Sequence, residues 1–479
     1  MKFKGWKASL ASAVAGSLIG RQFSIELAQL NRAQWLSPSD LLVRREKRLA
    51  RLLRHASENV PFYRNIYRQL GLEPSDLYRG EDLRRLPIVT KADHCCYPVA
   101  DFLADNLPTH RRIQDATSGS TGPRFEFYLD REASPILMAN HVFSDNWYGL
   151  GPIDRSVRVR VPRPPTNTIK GPEPIAARIR RTVSNSLRTA YESWTQEQIS
   201  AWEVGSPWAE SIYRRMELHR PEFVTGYTSA VASIADELLK RNLRLSRRIR
   251  GVITEAEPLT PSRRKLISEY FNAPVGSRLG IREMGGYLAL SCTKVSDQFH
   301  VITDHVIIEI VREDGTPAKP GESGRLIVTD LNNYVMPFIR YDSGDLAVAD
   351  DALCQCGRGL PLIKQLVGRT SECLRTPAGR FISPLSLSHY LALHHDYDSV
   401  IRHYQLVGEN GGDLRLLVVP DLKFDSDTQK RLQSDLSQLL GHDMPVVVEI
   451  VPEISCEQSG KRPIIKLAGN SVAQSLQYD

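Results

Sequence analysis

Between residues 157 and 271, short apolar runs alternate with longer amphipathic ones, and this alternation limits the fold more than any other feature. Val157 to Val161, Phe223 to Thr225 and Gly251 to Thr254 are brief, β-branched segments, each running into a Gly- or Pro-containing loop. Gly226-Tyr227-Thr228-Ser229 then opens a helical run to Arg241, and Thr260 stands as the N-cap of another over 261–271. Strands followed by helices in this order predict a doubly wound α/β domain with a mostly parallel sheet. Residues 134–150 and 195–219 also read as helices. After residue 300 the character changes. Val306 to Val311 and Gly324 to Thr329, separated by Gly/Pro turns, predict an antiparallel or barrel-like section. Near the end, Arg415 to Val419, 426–440 and Val446 to Val451 read as strand, helix and strand of a small α+β unit.

The N-terminal part is helical. Residues 37–70 carry long basic faces broken only at Pro61, and Leu86 to His94 read as an extended piece followed by a Thr90-capped helix. At 479 residues the chain exceeds one ordinary core, so two or more domains are expected. The net charge of +7 is carried by clusters such as Arg178 to Arg181, which serve as solvated helix faces or as an attraction for an anionic substrate. No basic motif interleaved with aromatics marks a nucleic-acid module. The seven cysteines are scattered, unlike a secreted disulfide framework. Lys2, Lys4 and Lys7 precede a mildly apolar stretch from Ala8 to Gly20, too short to span a bilayer. A cytoplasmic protein is expected, with room for peripheral membrane contact and for a homodimer.

One run points to chemistry. Thr117-Ser118-Gly119-Ser120-Thr121-Gly122 alternates hydroxyl side chains with glycines, so backbone N–H groups and O–H donors can approach a polyphosphate closely. Arg124 follows two residues later. The run lacks the Gly-x-x-x-x-Gly-Lys-Ser/Thr spacing of P-loop enzymes, and alone it is equally a flexible turn.

Further strings fall in order along the chain. They are "VPFYR" at 60–64, "LPIVTK" at 86–91, "GYTSAV" at 226–231, "EAEPLT" at 255–260 and "LGIREMG" at 279–285. "IRYDSGDL" at 339–346, "CQCGRGLP" at 354–361, "VGRTSECL" at 367–374 and "SGKRPII" at 459–465 complete the set. With the hydroxyl loop, they make the chain resemble the adenylate-forming ligases, in the branch of phenylacetate–CoA ligase and capsular polysaccharide biosynthesis ligases. The resemblance implies a large N-terminal domain over 1–367 and a mobile C-terminal lid over 368–479. It implies an ATP-dependent ligase that joins a small-molecule carboxylic acid to ATP as an acyl-adenylate, then transfers the acyl group to CoA. Transfer to an amine or hydroxyl of a sugar or small metabolite stays open, as does a catalytically silent binding relative.

The resemblance also assigns roles. Thr117, Ser118, Gly119, Ser120, Thr121 and Gly122 would wrap the phosphates. Glu283 would stand near Mg²⁺, an ion that prefers oxygen ligands and substrate phosphates. Glu255, Ala256, Glu257 and Pro258 would pass beside adenine, and Asp345 would accept from the ribose hydroxyls. Arg369 is the expected ribose or phosphate contact. Lys461 is the expected catalytic cation between carboxylate and α-phosphate, with Lys466 as its competitor.

Departures are visible. Arg124 takes the place of the usual lysine after the loop. Leu279 stands where the branch often has a Tyr against adenine. Arg282 replaces a small hydroxyl residue beside the nucleotide, and Ser371 replaces the usual hinge Asp or Lys. A second constellation is Cys354-x-Cys356, a tight turn able to aim two thiolates at one ion. In the resemblance it joins Cys292 and His300, three sulfurs and one imidazole being a closed set for structural Zn²⁺. His305 is expected as a structural partner only.

Overall fold

The computed structural model describes residues 20–77, 79–116, 125–161, 193–295, 297–369, 373–376, 381–393, 397, 400–409, 413–441, 444–457 and 461–468. The apolar stretch before Gly20 and the whole hydroxyl run with Arg124 lie outside the described residues, as does Ser371. Among the described residues no helix is long and apolar enough to cross a membrane.

Three helices come first: α1 (Arg21–Ala33), α2 (Pro38–Asn59) and α3 (Pro61–Leu70). Ser37 caps α2 by accepting from the Asp40 N–H, with Pro38 in the first turn. The Pro61 ring forces Val60 out of the helical region, so α2 and α3 separate there. Thr90 and Asp93 cap each other across the first turn of α4 (Lys91–Cys96), as the sequence predicts. A hairpin of β1 (Arg112–Ala116) and β2 (Glu126–Asp130) then flanks the position of the hydroxyl run. Next comes α5 (Ser134–Trp147).

The doubly wound part follows. It comprises β3 (Ser156–Arg160), β4 (Gln196–Ser200), α6 (Ala209–His219), β5 (Phe223–Tyr227), α7 (Thr228–Lys240), β6 (Gly251–Glu255), α8 (Pro261–Phe271) and β7 (Val275–Ile281). Strands β4, β3, β5, β6 and β7 lie side by side, all parallel. Helices α6, α7 and α8 share one core with Val157, Val159, Val224 and Val252 on one face of the sheet. The expected helix over 195–219 begins only at Ala209. Gln196 to Ser200 has helix-forming side chains, but it pairs with the open edge of β3 and buries Ile199. Tertiary pairing overrides local propensity there.

The antiparallel section runs through β8 (Gly286–Ser291), β9 (Phe299–Val301), β10 (Val306–Val311), β11 (Ser323–Asp330), β12 (Tyr341–Ala349) and β13 (Leu362–Arg369). Hydrogen bonds join it to β7, giving one mixed sheet of 11 strands in the order β10-β11-β12-β13-β9-β8-β7-β6-β5-β3-β4. The barrel-like section is thus the other half of the parallel sheet.

The C-terminal part has β14 (Leu374–Arg375), β15 (Phe381–Ile382), α9 (Pro384–Leu393), β16 (Ile401–Glu409), β17 (Leu414–Pro420), α10 (Ser426–Leu440), β18 (Val446–Ile450) and β19 (Ile465–Ala468). Its four-stranded sheet has the order β18-β17-β16-β19, and its apolar core is separate, running from Leu374 to Ile465. Polar contacts dock it on the large part. The Arg462 N–H donates to Ser229 Oγ at 3.1 Å and its guanidinium to the Val204 carbonyl at 3.0 Å. His403 meets Asp236 at 3.0 Å.

Candidate active site

In an open parallel sheet, ligands bind beyond the carboxyl ends of the strands, because loops there diverge and helix N-termini converge. Here those ends present Arg160 of β3, Tyr227 of β5, Glu255 of β6 and Ile281 of β7. The chain turns at Ile281 through Arg282-Glu283-Met284, and Gly285 (φ 67) reverses it into β8. A Cβ on Gly285 would stand 2.8 Å from a methyl of Leu137, so the turn requires glycine.

That turn buries the Glu283 carboxylate. The Tyr341 hydroxyl donates to Glu283 Oε1 at 3.1 Å. Burial raises the Glu283 pKa, and a backbone hydrogen bond, the Tyr341 hydroxyl and the Arg369 charge only partly counter it. Among the described residues no cation stands within ion-pair distance of this carboxylate. Asp345 and Arg369 are opposed across β12 and β13 and form an ion pair at 3.3 Å, close enough to Glu283 to act on its charge. Glu283, Asp345 and Arg369, far apart in sequence, are therefore one cluster.

Arg282 turns the other way. Its guanidinium holds both oxygens of Asp115 at 2.7 and 3.2 Å, tying the Glu283 turn to the strand that enters the hydroxyl run. This residue serves as a brace in the described structure, and a direct nucleotide contact would require breaking a two-pronged ion pair.

The segment expected beside adenine has a kinked backbone. Ala256 takes φ 68, an uncommon conformation for a side-chain-bearing residue. The Glu255 carboxylate is engaged by Arg160, Arg278 and Tyr287. Burial alone would raise its pKa, but the two guanidiniums and the phenol overcome this and hold it at about 2. Glu257 accepts from the Ser229 N–H at 2.8 Å while its carbonyl accepts from Thr228. What this segment can offer a base is its main chain and the unpartnered Glu257 Oε1. Leu279 packs against the main apolar core.

Lys461 is half-buried, and its carbonyl accepts from the Glu457 N–H at 2.9 Å. Arg462, the next residue, is the one clasped at Ser229, so the chain following Lys461 is docked at the start of α7. Its competitor Lys466 lies on β19, exposed, 3.7 Å from Glu457.

Elsewhere, Cys292, His300, Cys354 and Cys356 are all buried, and their donor atoms lie within 4.8 Å of one another. Cys292 and Cys354 sulfurs are 3.6 Å apart, and Cys356 Sγ is 3.4 Å from His300 Nε2. A tetrahedron with Zn–S bonds of about 2.3 Å has edges of about 3.8 Å, so the donor set fits such an ion. Burial lowers the His300 pKa to about 4, leaving the neutral imidazole that metals prefer. His305 instead accepts from Asn332 at 2.9 Å, a structural bond as expected.

Sequence reading passed over Asp115, Arg160, Arg278 and Tyr287. One signal was available: Arg158 and Arg160 alternate with valines in a strand bounded by a buried sheet, where charge needs a partner. Trp147 and Tyr148 donate to the Ser291 and Ser277 carbonyls within the core.

Comparison with known proteins agrees with this geometry. Residues 374–467 match the pattern of the CapK C-terminal domain. A phenylacetate-coenzyme A ligase of Thermus thermophilus is 26% identical over 380 residues, spanning 77% of this chain and 78% of that one. A phenylacetate-coenzyme A ligase of Escherichia coli is 26% identical over 449 residues, spanning 91% and 95%. Crystal structures of 2-hydroxyisobutyryl-CoA ligase share the fold at 19% identity, covering 91% of each chain. The postadenylation state with 2-HIB-AMP gives a TM-score of 0.72. The open conformation of that enzyme, 20% identical over 91% of this chain and 93% of that one, gives 0.59. The chain is therefore similar along most of its length to adenylate-forming CoA ligases. Its similarities point to phenylacetate-coenzyme A ligase and, in the C-terminal part, to CapK.

Proposed function

We propose that this chain activates a small carboxylic acid with ATP and passes the acyl group to the thiol of CoA. The observation that carries the reading is the gathering of Glu283, Asp345 and Arg369 into one cluster on the sheet, with the segment that follows Lys461 docked on the large part at Ser229 through Arg462. A carboxylate oxygen attacks the α-phosphorus, the bond to the bridging oxygen breaks, and pyrophosphate leaves. Both reactants are anions, so the barrier is mainly one of charge and alignment. Lys461 places a compact cation between them, and Arg369 adds a second against phosphate or ribose. Asp345 is suited to the ribose hydroxyls. Thr117 to Gly122 and Arg124, which follow β1 in the chain, would take the phosphates. In the second step the CoA sulfur bonds to the acyl carbon, and AMP departs as the anhydride C–O bond breaks.

Glu283 suits a Mg²⁺ site, since it is a buried carboxylate whose charge has no close counter-ion among the described residues. Mg²⁺, when bound, would supply the charge screening that the phosphates require. The division into an N-terminal part over 1–367 and a lid over 368–479 is part of the reading, supported by the separate core that begins at Leu374. Lid rotation would then serve the second step. The Cys292, His300, Cys354 and Cys356 set would hold structural Zn²⁺, clipping the end of β8 and β9 to the turn before β13.

Carboxylate-dependent release of pyrophosphate from ATP tests the first step, and AMP-coupled loss of free CoA thiol tests the second. If an acid gives pyrophosphate but CoA is never acylated while an amine or hydroxyl is, the acceptor assignment is wrong and transfer to a sugar or small metabolite replaces it. No pyrophosphate with any acid would refute the ligase reading.

A further inference from the structure

The face of the sheet that α5 covers carries a charged layer that the reaction above does not use. Arg158 and Arg160 point away from the core that holds Val157 and Val159. Glu255 and Arg278 are cross-strand neighbours on β6 and β7. Gly226 lies between β3 and β6, and a Cβ there would stand 2.3 Å from the Val159 carbonyl. Arg160 reaches past this strand to place Nε 2.7 Å from Glu255 Oε1. Arg278 holds Glu255 Oε2 at 3.0 Å and Asp145 Oδ1 of α5 at 2.7 Å. Arg158 reaches only the other Asp145 oxygen, at 3.6 Å.

Among the described residues the layer therefore sets three guanidiniums against two carboxylates. His141 adds no charge near neutrality, because burial lowers its pKa to about 4. The positive excess falls on Arg158, whose Nε is buried without a hydrogen-bond partner. Arg158 and Arg160 keep 25% and 24% of their side chains exposed, whereas Arg278 keeps 2%. The first two thus face an opening. The His141 Nε2–H donates to the Gly285 carbonyl at 3.2 Å, two residues from Glu283, so this face of the sheet borders the reaction centre.

A half-buried guanidinium that must share its one carboxylate with a second arginine is under-compensated, and an anion entering from solvent relieves it. An aryl or alkyl tail would leave the charge uncompensated. We infer that the acid activated by this chain carries a second anionic group, which Arg158 receives with Arg160 at the end of the pocket remote from the reacting carboxylate. The inference rests on the ligase reading and narrows it to a hydrophilic, at least dianionic acid.

The test compares pyrophosphate release for pairs differing by one anionic group: 4-carboxyphenylacetate against phenylacetate, glutarate against butyrate, and 3-phosphoglycerate against glycerate. The acid with the extra group should be favoured at least tenfold in kcat/KM, the last pair telling phosphate from carboxylate. Arg158→Gln should lower that preference about tenfold, and Arg158→Lys, which keeps the charge, should retain most of it. Preference for the singly charged acid, or an unchanged ratio in Arg158→Gln, overturns the inference while the ligase reading stands. Failure to release pyrophosphate with every acid overturns the reading. Calorimetry of 4-carboxyphenylacetate with the parent and Arg158→Gln then still decides: equal affinity, or no binding to either, overturns the inference as well.

Discussion

Replacing Glu255 with Gln isolates the buried charge layer and allows its contribution to be worked out twice. The carboxylate is held by Arg160 at 2.7 Å, Arg278 at 3.0 Å and the Tyr287 hydroxyl at 2.8 Å. Its pKa falls from an ordinary 4.5 to about 2 despite the opposing effect of burial. At about 1.36 kcal/mol per unit, the charged form is stabilised by about 3 kcal/mol. Removing one partner from a buried ion pair independently costs about 3–5 kcal/mol, because the remaining guanidiniums are left uncompensated. The two routes agree in order of magnitude. Unfolding entropy of about 2.1 cal/mol/K per residue over roughly 350 residues gives about 0.7 kcal/mol/K, so a loss of 3–4 kcal/mol lowers Tm by about 5 °C. Because the folded pKa is depressed, this stability is present above pH 4.5 and is lost as pH falls toward 2. Scanning calorimetry of Glu255→Gln should show the drop at pH 7, and the parent should lose its advantage over the variant on acidification. Equal Tm at pH 7, or a gap between parent and variant that stays constant to pH 3, refutes the argument.

Lys461→Ala should slow acyl-adenylate formation by orders of magnitude while ATP affinity, read by calorimetry, changes little, since the cation acts on charge that develops in the transition state. An equal loss of affinity would contradict the role. Arg282→Met removes the two charged hydrogen bonds to Asp115. Such bonds contribute about 1.5–3 kcal/mol, so the KM for ATP should rise at least tenfold through the loosened strand. Cys354→Ser should lower bound zinc and Tm together. Metal analysis of the parent finding no zinc would remove that site.

Several parts of this protein were legible without coordinates because their causes are local. Thr90 with Asp93 and Thr260 with Arg263 form caps from residues three apart, so helix starts could be read directly. Period-two valines located β3, and the Pro61 ring divided α2 from α3. The Gln196–Ser200 strand was not legible, because the partner edge that makes it a strand lies on another segment.

The order of residues along the chain settled the alternating β and α elements, and it marked Lys461, Glu283 and Asp345 as charges worth following. Tertiary structure alone decided what each charge faces. Among the described residues it engaged Glu255 with two arginines, turned Arg282 to Asp115, left Glu283 without a close counter-ion and made Arg158 share Asp145 with Arg278. The physical reason is range. Caps and strand periods are set within a few residues, whereas the energy of a charge depends on every group within several ångströms, whatever its place in the chain.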